Sequence, residues 1–316
     1  METKNISGKK ILITGASGYI GHHLCRKLCT MKSEVHAISR TLHTINENCP
    51  RWWHGDLTDI ATVRNILNTV KPDLVFHLSG LASGGRDLEL ILPTFHSNLT
   101  TTVNLLTAAT EIGGCRIILA GSLEEPDSGD ELPSSPYAAS KWFSTIYGRM
   151  FYNLYKIPIV FLRVFMVYGP GKQNHRKLLP YVITSLLKGQ IPKLSSGERQ
   201  IDWIYIDDVI DGFIAAAVSP NIEGITIDLG SGILISIKTL VEKIADMIKP
   251  EGKISFGTVP DRPMEQVRVA HIDETSARID WKPVISLEKG LGYTITWFRE
   301  QMQKDEKDSL LLKCPS

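Results

Sequence analysis

The chain has 316 residues, 43% of them hydrophobic, which is enough to bury a sizeable core. Thirty-five basic side chains against thirty-four acidic ones leave a formal charge of +1 with no long like-charged run, which argues against a nucleic-acid or acidic-membrane surface. Five cysteines without metal-ligand spacing (Cys25, Cys29, Cys49, Cys115, Cys314), a polar start and no membrane-length apolar run point to a soluble protein of the reducing cytoplasm.

In chain order, Ile11 to Thr14 reads as a short buried strand that turns on glycines into a helix carrying Cys25 and Cys29 on one face. VHAISR is a second strand ending at Arg40, and GDLTD follows a third. Asp59 to Val70 is predicted helical, DLVFHLSG a strand, Thr94 to Thr110 a long helix, and CRIILAG a strand. Ala138 to Tyr155 is a further helix, and IPIVFLRVFMVYG a strand that runs into a loop. Strands alternating with helices around near-continuous Val/Ile/Leu cores indicate an α/β fold, a Rossmann-like parallel sheet with helices on both faces.

Beyond Tyr168 glycine and proline become frequent, and helices near 176–188 and 236–248 are separated by short strand candidates. The expected organisation is a mainly dinucleotide-binding domain over 1–168 and a smaller mixed substrate subdomain over 169–301. Residues 201–230 are expected to return to the core, and 302–316 to form a loose tail after a helix near 286–301.

GASGYIG spaces Gly15, Gly18 and Gly21 three apart, directly after the first strand. The first glycine permits a tight turn, the second a close backbone approach to a pyrophosphate, and the third close packing of helix on sheet. Where NAD-binding folds place an acid for the ribose diol, this chain has Arg40, whose guanidinium suits a 2′-phosphate. NADP is therefore expected over NAD. Asp56 is a candidate acceptor for the adenine amino group, or equally a loop or cap acid.

Ser122 leaves the middle strand fifteen residues before Tyr137, and Tyr137 precedes Lys141 by one helical turn. A free phenol near pKa 10 is a poor base, but an ammonium and a bound nicotinamide's positive charge both favour tyrosinate. Ser122 would hydrogen-bond a substrate oxygen while Tyr137 exchanges its proton and hydride moves to or from the cofactor. Lys141 would also hold the nicotinamide ribose.

TGASGYIG, the Asp56 turn, Ser122, YAASK and RVFMVYGPG together resemble the extended short-chain dehydrogenase/reductase family, in its branch of nucleotide-sugar epimerases, dehydratases and 4-ketoreductases. SGERQIDWIYIDDVIDGF and VPDRPMEQVRVAHIDETSARIDWKP resemble its carboxy-terminal signatures, so the likeness spans roughly residues 8 to 300. It implies cofactor contacts from Gly15, Ser17, Gly18, Tyr19, Ile20 and Gly21, from Asp56 and Leu57, and from Leu78, Ser79 and Gly80. Val167, Tyr137 and Lys141 would complete that surface. It places Ser83, Ser122, Met166 and Arg262 at a nucleotide sugar, and implies a homodimer through helices at about 95–112 and 138–155.

The resemblance also makes Glu124 a candidate proton-transfer residue, as in the 4,6-dehydratases, although Leu123 stands where a second acid is common. Met166 replaces the usual sugar-contacting asparagine, Pro126 a usual tyrosine, and Ile201 a usual arginine, with Arg199 two residues away. His77 reads as a strand-exit residue, and His22 and His23 as packing or surface. Nothing resembles a metal cluster, a nucleophile elbow or a Walker loop. The favoured expectation is NADPH-dependent reduction of a 4-keto-6-deoxy sugar with Tyr137 as acid. A 4,6-dehydratase using Glu124, a 4-epimerase with retained cofactor, and a non-catalytic dinucleotide-binding protein are the alternatives.

Overall fold

The computed structural model describes residues 6–43, 50–127 and 131–311, with side chains as far as Asp305. Cys49 and Cys314 lie outside those residues. Six strands open the chain: β1 (Lys10–Thr14), β2 (Glu34–Ser39), β3 (Arg51–His54), β4 (Leu74–His77), β5 (Arg116–Ala120) and β6 (Ile159–Val164). With the later β9 (Thr226–Leu229) they form one parallel sheet in the order β3-β2-β1-β4-β5-β6-β9. Neighbours in a parallel sheet cannot be joined by hairpins, and helices make the crossings except between β2 and β3, where no helix lies among the described residues.

Successive residues of a strand point to opposite faces, and two cores result. Ile11, Ile13, Phe76, Ile118 and Leu162 pack on α1 (Tyr19–Thr30) and α7 (Ile206–Val218). Leu12, Val75, Ile117, Leu119 and Phe161 pack on α2 (Ile60–Val70), α4 (Thr101–Ile112) and α5 (Pro136–Tyr155). The start of α5 is written in its sequence: Ser135 accepts from the Ala138 N–H at 3.1 Å, and Pro136 follows where no N–H is needed. Its middle lies close on the sheet, since a Cβ on Gly148 would stand 2.5 Å from the Phe161 ring.

Several boundaries differ from the sequence reading. The helix expected from Thr94 begins at Leu88 and is irregular. A 3₁₀ turn (Leu88–Leu90) leads to α3 (Ile91–Thr94), a π turn (Phe95–Thr100) and then α4. The long strand after α5 is two strands. β6 ends at Val164 and β7 (Met166–Tyr168) leaves for a second sheet, in which β8 (Gln200–Tyr205) runs parallel to it and β10 (Leu234–Ser236) antiparallel. Within 201–230, α7 and β9 return to the main sheet, whereas β8 belongs to the small one. α6 (Leu178–Leu187) and α8 (Ile237–Ile248) fall where helices were expected, and α9 (Ile272–Ile279) is a further helix. In place of a loose tail from residue 302, α10 (Leu287–Leu311) continues. Cys25 and Cys115 are buried free thiols. No described helix is long and apolar enough to cross a membrane.

Asp202 on β8 joins three segments of the substrate side. Oδ1 accepts from the Ser231 N–H (2.6 Å) and hydroxyl (2.7 Å), and Oδ2 from the N–H groups of Gly232 and Ala270, both at 3.0 Å. The side chain is 1% exposed. Asp202→Ala is expected to lower unfolding stability by about 3 kcal/mol, because buried donors without a partner cost roughly 1–3 kcal/mol each. Urea unfolding measures it, and an unchanged midpoint would contradict the role assigned to Asp202.

Candidate active site

The carboxyl ends of β1, β4 and β5 open on one crevice, where the strand order reverses across β1 and β4. Gly15 has φ +69, and a Cβ there would stand 2.7 Å from the backbone of Leu78 and Ser79. A Cβ on Gly21 would stand 2.2 Å from the Gly15 carbonyl. Gly18 caps α1 without any side-chain bond, and no acid occupies the first turn. The N–H groups of Tyr19, Ile20 and Gly21 are thus unclaimed beside exposed Ser17, a cradle that fits a diphosphate. Tyr19 offers only its amide there. Its phenol lies under the loop after β7, where a Cβ on Gly169 would come within 2.9 Å of the hydroxyl.

A buried chain of hydrogen bonds positions the strand ends. The Ser79 N–H donates to Thr14 Oγ1 (3.2 Å), which pairs with His77 Nδ1 (2.8 Å), and His77 Nε2 pairs with Thr102 Oγ1 (3.0 Å). Thr102 spends its own proton on the Asn98 carbonyl (2.7 Å), so it accepts from Nε2–H, and Nδ1 must accept from Thr14. Burial and the Lys141 charge push His77 down to about 3, so it stays neutral and holds structure.

Asn98 sits in the π turn and was missed in the sequence. Its Oδ1 accepts from Leu81 N–H (2.6 Å), and its Nδ2 donates to Ser140 Oγ (2.8 Å), which in turn donates to the Tyr137 carbonyl (2.8 Å). It therefore ties the loop after β4 to the first turn of α5. The available signal was a polar residue on the face of a helix that otherwise buries Leu105 and Leu106.

Ser122, Tyr137 and Lys141 are brought together at the exit of β5. The Ser122 side chain lies beside the Tyr137 phenol, which burial pushes up to about 12, opposed by Ser122, with nearby Glu125 and Glu124 adding to the rise. Lys141 is 8% exposed and donates to the Ala120 carbonyl at 2.7 Å. Burial brings it down to about 8, opposed by Glu125. The arrangement presents a neutral phenol as a proton donor, a hydroxyl beside it, and a cation behind it.

Glu124 does not join them as a free acid. Its Oε1 lies 3.0 Å from Arg199 NH2, and Arg199 also pairs with Glu265 at 3.2 Å and donates to the Gln266 carbonyl. The acid that reaches Ser122 is its neighbour Glu125, a second residue the sequence reading passed over. Ser83 accepts from Gly85 N–H at 3.3 Å, and Arg262 lies beside the same loop, 3.4 Å from where a Gly84 Cβ would be. Met166 and Val167 are half-buried on β7, opposite Trp203 and Ile204. Asp56 is exposed and accepts from Thr58 N–H (2.9 Å), while Leu57 beside it is buried and Gly80 packs against Asn98. The exposed Arg40 guanidinium has no ion-pair partner among the described residues.

Known proteins resemble this chain in sequence and in fold. The chain is 28% identical to UDP-glucose 4-epimerase of Mycolicibacterium smegmatis, over 93% of this chain and all of that one. It is 26% identical to human dTDP-D-glucose 4,6-dehydratase, over 92% and 90% of the two chains. Its structure superposes on a UDP-glucuronic acid 4-epimerase variant from Bacillus cereus, in complex with UDP-4-deoxy-4-fluoro-glucuronic acid and NAD. The TM-score is 0.81 at 25% identity, covering 92% of this chain and 99% of that one. The model of the NAD-dependent epimerase/dehydratase family matches residues 11–230, from the first strand through the glycine loop and the Tyr137 helix to the end of β9, and the chain belongs to that family.

Proposed function

We propose that this protein moves hydride between a nicotinamide cofactor and carbon 4 of a nucleotide-linked sugar, and that its net reaction is reduction of a 4-keto-6-deoxy sugar. The observation that carries this reading is the Ser122–Tyr137–Lys141 cluster at the crevice. When bound, the reduced nicotinamide supplies the hydride. Tyr137, resting protonated, gives its phenolic proton to the oxygen of the reduced carbonyl. Ser122 hydrogen-bonds the same oxygen, and the Lys141 ammonium stabilises the phenolate left behind. Dehydration is disfavoured because Leu123 carries no proton and Glu124 is engaged by Arg199. Arg262 and Ser83 are proposed to meet the nucleotide sugar, and Met166 to leave the usual sugar contact unmade.

A 4-epimerase that keeps its cofactor is the second reading, supported by the similarity to 4-epimerases over 92–93% of the chain. Mass analysis of the small molecules released on denaturation separates the two. Reduction expects a site that arrives empty, binds NADPH and consumes one equivalent per keto sugar. Retained oxidised cofactor, with no external NADPH consumed, would sink the reductase and leave the epimerase.

The proposed preference for NADP rests on Arg40. Arg40→Asp is expected to weaken NADP binding about ten- to a hundredfold while sparing NAD, as a charged hydrogen bond contributes roughly 1.5–3 kcal/mol. Parallel titrations with both dinucleotides measure this; an unchanged ratio removes Arg40 from phosphate binding. We also propose a homodimer. Phe143, Ile146, Tyr147 and Leu154 on α5 and Leu92 and Phe95 beside α4 are exposed apolar side chains of the kind a second copy would cover. Light scattering at micromolar concentration tests the stoichiometry.

A further inference from the structure

Two acids, Glu124 and Glu125, stand side by side in the loop after β5, and Glu125 is the buried one. Its side chain is 6% exposed. Oε1 accepts from the Ser122 N–H at 2.6 Å, and Oε2 from the Thr145 hydroxyl on α5 at 2.8 Å. Gly121 leaves the space it fills, since a Cβ there would stand 2.5 Å from Oε1. The carbonyls of Leu123 and Glu125 accept from Arg268 NH1, both at 2.9 Å, so the loop is held from its backbone as well.

We propose that Glu125 is a positioning residue of the catalytic centre: its carboxylate seats the Ser122 backbone and keeps Lys141 in its ammonium form. This rests on the reading of Ser122, Tyr137 and Lys141 given above. Lys141 on the Ala120 carbonyl and Glu125 on the Ser122 N–H flank Gly121 at the exit of β5, and Thr145, which holds Oε2, is one helical turn after Lys141. Two groups buried so close each lose hydration, and each is favoured in its charged form by the other. Lys141 loses ammonium character by burial and regains part of it from Glu125. Glu125 loses carboxylate character by burial, and Thr145, the Ser122 N–H, Lys141 and Arg163 on β6 oppose that loss. The remaining charged or titratable neighbours leave the pairing in place. His77 is neutral, Tyr137 is a phenol, Arg268 is committed to the carbonyls and Asp127, and Glu124 to Arg199. Removing the Glu125 charge therefore takes away an anion that favours the Lys141 ammonium, and Lys141 releases its proton at lower pH.

Glu125→Gln separates charge from shape, because a carboxamide can still accept from Ser122 N–H and meet the Thr145 hydroxyl. The readout is the pH titration of Lys141 followed by NMR in protein carrying [13Cε]lysine, with the signal assigned by its loss in Lys141→Arg. The expected result is a Lys141 titration about one pH unit lower in Glu125→Gln than in wild type. Glu125→Asp, which keeps the charge, is expected to restore it. Where turnover is measured, the alkaline limb of the kcat profile should move with the lysine. An identical Lys141 titration in wild type and Glu125→Gln overturns the proposal. Should Glu125→Gln not fold, the wild-type protein still decides: a Glu125 whose 13Cδ signal stays that of the protonated acid up to the pH at which Lys141 loses its proton has no charge to lend, and overturns the proposal. The titration needs no substrate, so it stands even if the assigned reaction fails. Conversely, full activity in Tyr137→Phe would sink the reaction and leave the titration intact.

Discussion

Tyr137→Phe is expected to keep the fold and cofactor binding and to lose about 10²–10⁴-fold in kcat, the range that a positioned acid or base contributes. The substitution removes one oxygen and nothing else that the neighbourhood uses. Ser140 bonds to the backbone carbonyl of residue 137, which phenylalanine retains, and the ring volume is unchanged. Only the polar contact with Ser122 and the transferable proton disappear. Cofactor titration and melting separate this from misfolding. A variant that binds cofactor, melts normally and turns over at the wild-type rate would take proton transfer away from Tyr137.

Gly21→Ala is expected to destabilise the protein by roughly 1–3 kcal/mol, as overpacking does, and to weaken dinucleotide binding at least about tenfold. The added Cβ would meet the Gly15 carbonyl at 2.2 Å and the Ala16 Cα at 2.8 Å. Both obstacles are backbone, so neither can rotate aside as a side chain would. The glycine loop and the start of α1 must separate, which moves the amides proposed to hold the diphosphate. Gly292→Ala on α10 is the control: a Cβ there meets nothing within 4 Å, and alanine in a helix is expected to be neutral or stabilising by up to about 1 kcal/mol. Equal melting and equal cofactor binding in Gly21→Ala and wild type would refute the packing role.

The main sheet and the glycine loop were legible because their signals are local. Continuous apolar strands, a cap such as Ser135 before Pro136, and glycines at the end of a strand each state their structure within a few residues. The acids after Ser122 were not. Glu124 and Glu125 are adjacent and chemically identical, and which one turns inward depends on Arg199, Thr145 and Gly121, which are distant in sequence or silent about direction. Leu123 and Glu124 attracted attention through the family pattern, while the buried carboxylate lay one residue on. Asn98 was hidden for a different reason: helical periodicity assumes a regular turn, and Asn98 owes its aim to an irregular one. The break at Phe165, which divides one apolar run between two sheets, has no polar or glycine marker.

That irregular turn has a consequence for how the chain tolerates length changes. A π turn holds one residue more than an α turn, so deleting a residue within Phe95–Thr100 leaves a helix with ordinary hydrogen bonding. Each residue of an α-helix advances the side-chain direction by about 100°. The repaired helix would therefore present Asn98, or the whole stretch before it, to the wrong neighbours. In a scan of single-residue deletions, this stretch should stand apart: soluble, helical protein whose Leu81 loop and Tyr137 turn no longer share a common anchor.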